Sequence, residues 1–149
     1  MKKKILLSLL LVAGLGITGF ATNAEAGDIS DRPFKFYFSM KGSVAHTERR
    51  AKYDSTSAYM KFGWIQDGAG GYHVKVVDEN SNDFSKTWWS RSFNEYVPNG
   101  TEEWIPNYAY EDRGYGVKVK LRGEGHGGAV SSGIWSTGGE WSPDSVGGN

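Results

Sequence analysis

The sequence predicts an all-β protein, a single antiparallel β-sandwich of about seven strands. Three observations point there. Apolar residues recur with a period of two in one stretch after another, which is the signature of half-buried strands. Turns rich in glycine separate those stretches, with 21 glycines among 149 residues. The one helix candidate downstream of the leader, residues 43–53, spaces its apolar side chains poorly for a helix.

A leader precedes the strands. Lys2, Lys3 and Lys4 form a basic start, an apolar run extends from Ile5 to about Phe20, and Ala24-Glu25-Ala26 is an A-x-A cleavage signal. The run is shorter than the roughly 20 residues that span a bilayer. Residues 1–26 are therefore expected to be a signal peptide, and residues 27–149 a secreted, extracellular domain. Removing 26 of the 149 residues leaves 123; three lysines and Glu25 leave with them, so 17 basic residues become 14, 17 acidic residues become 16, and the net charge is −2. That length suits one domain able to bury a core without covalent staples. The near-neutral charge argues against a nucleic-acid partner. The absence of cysteine removes disulfides, thiolate zinc sites, thiol nucleophiles and a lipid anchor.

The strands follow in order. In residues 33–40, Phe34, Phe36, Phe38 and Met40 share one face, with Lys35, Tyr37 and Ser39 opposite. Residues 56–65 place Ala58, Met60, Phe62 and Trp64 on one side. Gly68-Ala69-Gly70-Gly71 then turns the chain, and Tyr72, Val74 and Val76 continue as the partner strand, His73 and Lys75 facing away. Residues 78–83 are all turn formers. A tryptophan-rich strand over about 84–97 ends at the turn Pro98-Asn99-Gly100. Residues 101–111 form a weaker strand, which Pro106 places at a sheet edge or splits. Residues 115–122 alternate most cleanly, with Tyr115, Val117, Val119 and Leu121 on one face. A glycine-rich loop, 123–128, leads to a last strand near 129–136, and Trp141-Ser142-Pro143-Asp144 closes the chain.

Catalytic patterns are sparse. There is no Gly-x-Ser-x-Gly elbow, and His46, His73 and His126 lie in no motif. Glu102, Glu103, Glu111, Asp112 and Glu124 are the acids from which a glycosidase pair would be drawn, but none sits in an apolar setting that would raise its pKa. Asp78, Asn80, Asn82 and Asp83 begin like a calcium loop, yet Asp83 stands where the loop needs glycine and Trp89 where it needs glutamate. A polar hairpin turn is the simpler reading there, with a looser calcium site as the alternative. Glu124 and His126 share a strand face, two ligands where structural zinc takes four. Asn99-Gly100-Thr101 has the form of a glycosylation sequon but reads as a turn. No cofactor is implied, and the expectation is a non-enzyme.

The aromatic excess is more informative. Trp64, Trp88, Trp89, Trp104, Trp135 and Trp141 are joined by eight tyrosines. Most of these rings are expected to build the core of a cysteine-free β-domain. Trp88 and Trp89 are adjacent, so a strand directs them to opposite faces and at most one joins the core. An exposed ring is a rigid, amphipathic surface of the kind that anchors binding. Trp88, Trp89 and Trp141 are the candidate binding residues.

The order of segments resembles a family of small secreted proteins of Gram-positive bacteria. The matching segments are Phe34-Lys35-Phe36-Tyr37-Phe38, Ser55-Thr56-Ser57-Ala58-Tyr59-Met60-Lys61, Asn107-Tyr108-Ala109-Tyr110-Glu111 with Gly114-Tyr115, Ser132-Gly133-Ile134-Trp135, and Trp141-Ser142-Pro143-Asp144-Ser145-Val146-Gly147. In this chain Ser136-Thr137-Gly138-Gly139-Glu140 stands between the tryptophan step and Ser-Pro-Asp, where relatives run the two together. The resemblance implies an association with bacteriocin-type ABC transporters and membrane proteins, and a plan similar to lactococcin-like β-sandwich bacteriocins. It supplies no catalytic residues. The function expected is a bacteriocin-like secreted effector that binds a cell-envelope component or receptor. A cell-wall or carbohydrate-binding module is the alternative, and a small secreted hydrolase the third.

Overall fold

The computed structural model describes residues 27–39, 42–84, 90–127 and 133–146. Nine strands and one short helix follow each other along them: β1 Arg32–Phe38, β2 Val44–His46, β3 Arg50–Lys52, β4 Ala58–Ile65, β5 Gly71–Asp78, β6 Arg91–Asn94, β7 Glu102–Ile105, α1 Ala109–Arg113, β8 Val117–Gly125 and β9 Trp135–Ser142. They form two antiparallel sheets packed face to face. The first has the order β1-β9-β4-β7; the second has β2-β8-β5-β6, with β3 also paired to β8. The predicted β-sandwich is the observed fold.

Alternation builds the core. Phe36 and Phe38 of β1, Met60 and Phe62 of β4, and Trp135 and Trp141 of β9 face inward from the first sheet. Tyr72, Val74 and Val76 of β5, Phe93 of β6, and Val119 and Leu121 of β8 face them from the second. Tyr72 lies at the centre, its ring centroid 5.4 Å from Phe93, 5.7 Å from Phe38 and 5.9 Å from Phe36. β7 is an edge strand and ends one residue before Pro106, whose missing N–H can support no further ladder.

Several sequence expectations change. The helix candidate 43–53 is β2 and β3, both paired with β8. β5 is not the hairpin partner of β4. The glycine turn carries the chain from one sheet to the other, with Gly68 at φ 75° and Ala69 buried beneath it. β5 pairs with β8 from Tyr72↔Gly125 to Asp78↔Val119. The expected loop at 123–128 begins too early, because β8 runs on to Gly125. Its glycines there admit the aromatic layer: a Cβ on Gly123 would lie 2.8 Å from the Phe36 ring, and one on Gly125 3.1 Å from Phe38. The last strand lies later than expected, and Ser136–Glu140 forms its middle, bonded to β1 on one side and β4 on the other. Met40 lies outside the described residues.

A buried ionic cluster closes the sandwich beside the end of β9. Lys52 and Asp144 are both fully buried, with Nζ 3.0 Å from Oδ1. Lys52 also donates to the carbonyl oxygens of Thr56 and, at 2.8 Å, Pro143. The Asp144 carboxylate accepts the backbone N–H groups of Asp28 at 2.7 Å and Tyr53 at 3.1 Å. Next to it Arg50, 7 % exposed, donates to Asp28 Oδ1 at 2.7 Å and to the Trp141 carbonyl at 2.8 Å, its guanidinium 5.3 Å from the Trp141 ring centroid. Burial favours the neutral form of Asp28, but the bonds from Ser30 and Arg50 outweigh it and hold the carboxyl below its ordinary range.

At Gly63, β4 carries a bulge. Phe62 pairs with Gly139 and Trp64 with Gly138, so one extra residue enters β4 and the side-chain alternation reverses. The backbones meet at glycines: a Cβ on Gly63 would lie 2.9 Å from the Gly138 carbonyl oxygen, and one on Gly139 would run into the Lys61 carbonyl. Gly139→Ala is therefore expected to lower stability by about 1–3 kcal/mol, as overpacking does. Urea unfolding checks it; a variant as stable as the parent would contradict the close approach.

Candidate binding face

The bulge decides which tryptophan meets solvent. Before Gly63, inward residues of β4 are Ala58, Met60 and Phe62, all fully buried; after it, Trp64 faces outward and is 38 % exposed. Trp64 was expected on the core face. The outward residues of the first sheet form rows across its strands. Lys35, Gly138 and Trp64 lie in one row, with Pro33, Glu140, Lys61 and Glu102 in the next. Gly138 has no side chain, and the indole lies over it: a Cβ there would be 3.0 Å from Trp64 Nε1. The Lys35 ammonium stands 5.3 Å from the Trp64 ring centroid and 4.9 Å from that of Tyr37, which is 60 % exposed. Both distances fit cation–π contacts. An open groove of about 410 Å³ runs beside Trp64, bounded by Pro33, Lys61, Gly63, Gly100 and Glu140. On the β4–β7 side of the same sheet Tyr59 donates from its hydroxyl to Glu102 at 2.9 Å and meets Trp104 edge to face, centroids 6.0 Å apart.

The candidate binding residues fare differently. Trp141 is corrected: it faces inward opposite Met60, fully buried, and its ring covers Arg50, so it presents no surface to a ligand. Trp88 and Trp89 lie outside the described residues. Trp64 and Tyr37 take the place of Trp141. The sequence held one signal for Trp64, an isolated glycine at position 63 inside a strand pattern, which marks a bulge.

Other groups singled out from the sequence do not converge. Glu102 and Glu103 lie on opposite faces of β7, Glu103 bonded to Arg91 at 3.0 Å, while Glu124 lies on the second sheet beside Arg122. Asp78 uses its carboxylate on its own turn, accepting the N–H groups of Asn80 and Asn82, both at 2.8 Å, and the Asn82 side-chain amide. Asp83 pairs with Lys75. These bonds make 78–83 a self-capped polar hairpin turn, and among the described residues no three His, Asp or Glu side chains are placed to hold a metal. His73 and His126 stack on the second sheet, centroids 4.3 Å apart, whereas His46 reaches Ser81. Partial burial and the neighbouring His126 push His73 down, against the opposing pull of Glu124. The 2.6 Å contact of His73 Nδ1 with Ser92 Oγ joins residues directly opposite in the β5–β6 ladder.

These features define a small two-sheet β-sandwich with exposed aromatic rings on one sheet face. No helix among the described residues is long and apolar enough to cross a membrane. The chain belongs to the family described as protein of unknown function DUF2712, whose model matches residues 20–145. No curated protein and no solved structure matches the chain.

Proposed function

We propose that this protein is exported and non-enzymatic, and that it acts by binding a cell-envelope component through the outer face of the first sheet. The observation that carries the reading is the exposed Trp64 ring packed against Gly138, with Lys35 between it and Tyr37. Flat exposed rings stack on the apolar faces of sugars, and Trp and Tyr dominate binding hot spots. Lys35 and Lys61 beside Glu140 and Glu102 add polar contacts along the groove. The effector role is bacteriocin-like and rests on the resemblance to secreted Gram-positive proteins, which also makes ABC-type membrane proteins its expected partners. The second reading, a wall or carbohydrate-binding module, uses the same rings.

Retention on isolated cell walls tests the face. Trp64→Ala is expected to weaken binding by about 2 kcal/mol or more, roughly thirtyfold, as at a hot spot. Its unfolding free energy should change by no more than about 1 kcal/mol. Unchanged retention of both Trp64→Ala and Tyr37→Ala would remove this face from the reading. Growth inhibition of related strains by the purified protein separates an effector from a plain binding module.

A further inference from the structure

Two carboxylates, those of Asp54 and Asp144, lie against Gly27. Gly27 has no room for a side chain: a Cβ there would lie 2.6 Å from Asp54 Oδ2 and 2.8 Å from Asp144 Cβ. The next residue is tied to the same place, because the Asp28 amide donates to Asp144 Oδ2 at 2.7 Å. With an N–Cα bond of about 1.5 Å, the Gly27 nitrogen lies about 2.5 Å from that Cβ position and so within about 5 Å of Asp54 Oδ2.

The nearby cations are already committed. Lys52 directs its ammonium to the Thr56 carbonyl, the Pro143 carbonyl and Asp144, which accounts for its three donors. It stands 3.9 Å from Asp54 Oδ1, beyond hydrogen-bond distance. Arg50 is spent on Asp28, Ser30 and the Trp141 carbonyl. Asp54 Oδ1 accepts both the N–H of Thr56 and its hydroxyl, while Oδ2 is the atom that faces Gly27. Asp54 and Asp144 thus have one ammonium between them: Asp144 is fully buried with Lys52, while the Asp54 side chain, 39 % exposed, has no cation within hydrogen-bond distance.

We infer that the completing cation is the α-ammonium of Gly27, created when residues 1–26 are removed, and that Asp54 and Asp144 are the built-in acceptor for this processed N-terminus. The inference rests on the proposed export and on cleavage after Ala26. A signal-type peptidase adds water across the Ala26–Gly27 peptide bond. The Ala26 carbonyl carbon takes the hydroxyl, and the Gly27 nitrogen takes the proton and a further one from solvent to become –NH₃⁺. An uncharged amide with one N–H becomes a cation with three donors, at the point where the carboxylates lack one. A side chain at position 27 would separate the two charges, so glycine suits the site sterically. The processed chain is more stable than its precursor, which couples the completed fold to export.

Thermal unfolding of residues 27–149, which contain every described element, tests this in three forms: with a free Gly27 amine, with that amine acetylated, and with Ala26 retained. The free-amine form is expected to melt highest, by about 3 °C or more. In an Asp54→Asn background the three forms should melt together. Equal melting of all three in the parent background overturns the proposal. Mass spectrometry of the exported protein tests the processing separately. An N-terminus at Gly27 supports the assignment. Any other N-terminus overturns the processing step, even where the free-amine form proves the more stable.

Discussion

Replacing Lys52 with methionine should lower the unfolding free energy by about 3–5 kcal/mol, the cost of leaving one partner of a buried ion pair without the other. Methionine keeps most of the length of the side chain, so the loss reports the missing charge and its bonds rather than a cavity. Lys52 is fully buried and holds three oxygen acceptors that come from Thr56 and from Pro143 and Asp144 at the other end of the chain. Without it Asp144 retains bonds from backbone N–H groups but no neutralising ammonium at 3.0 Å. Urea unfolding at neutral pH is the measurement, and a loss below about 1 kcal/mol would show that the pair does not close the sandwich. The same region sets the acid response. Burial opposes ionisation of Asp54, yet the bonds from Thr56 and the charge of Lys52 outweigh it and keep the carboxyl below its ordinary value. Asp28 is shifted the same way. Both contribute stability that is complete above an unfolded carboxyl's pKa and is lost as the pH falls through the lower folded values. Acid unfolding is therefore expected to sharpen below about pH 4, and Asp54→Asn should flatten it.

Truncating Trp141 should cost about 3–5 kcal/mol, because a large ring leaves a cavity that the surrounding sheets fill only in part. Truncating Trp64 should leave stability within about 1 kcal/mol of the parent, because its ring lies on the outer face of the sheet and is 38 % exposed. The two residues differ by environment and not by chemistry. Trp141 is enclosed between Met60 and Arg50, and its loss would also remove the ring that Arg50 covers. Calorimetric or urea unfolding of Trp141→Ala and Trp64→Ala side by side distinguishes them. Equal losses would mean that the bulge at Gly63 does not reverse the alternation and that Trp64 is a core residue.

Trp64 and Trp141 also mark the limit of what alternation conveys. Trp64 ends a run of clean period-two sequence, whereas Trp141 follows Gly138-Gly139-Glu140, beyond the last expected strand. The Trp64 run crosses an isolated glycine at position 63, where the register with β9 slips by one residue. A slip of one turns every later side chain to the other face. The glycine was visible in the sequence; the slip was not, because it depends on Gly138 and Gly139, more than seventy positions away, offering backbone without side chains. Trp141 lies near the end of the chain, where composition gives no sign of burial. It is buried because β9 runs between β1 and β4 in the middle of its sheet.

The sequence by itself determined the all-β class, the inward faces of Phe36 and Phe38, of Tyr72, Val74 and Val76, and of Val119 and Leu121, and that Pro106 puts the 101–111 segment at a sheet edge or splits it. Those features follow from local sterics, since the direction of a strand side chain depends on its own backbone and the missing N–H of proline on its own ring. Only the tertiary structure decided that β5 leaves β4 to pair with β8, that Gly123 and Gly125 belong to a strand under two phenylalanine rings, and that Lys52 and Asp144 are buried together. Each of these depends on a contact between residues far apart in the chain. A buried lysine becomes tolerable, and a glycine within a strand necessary, only after the distant partner has been brought beside it.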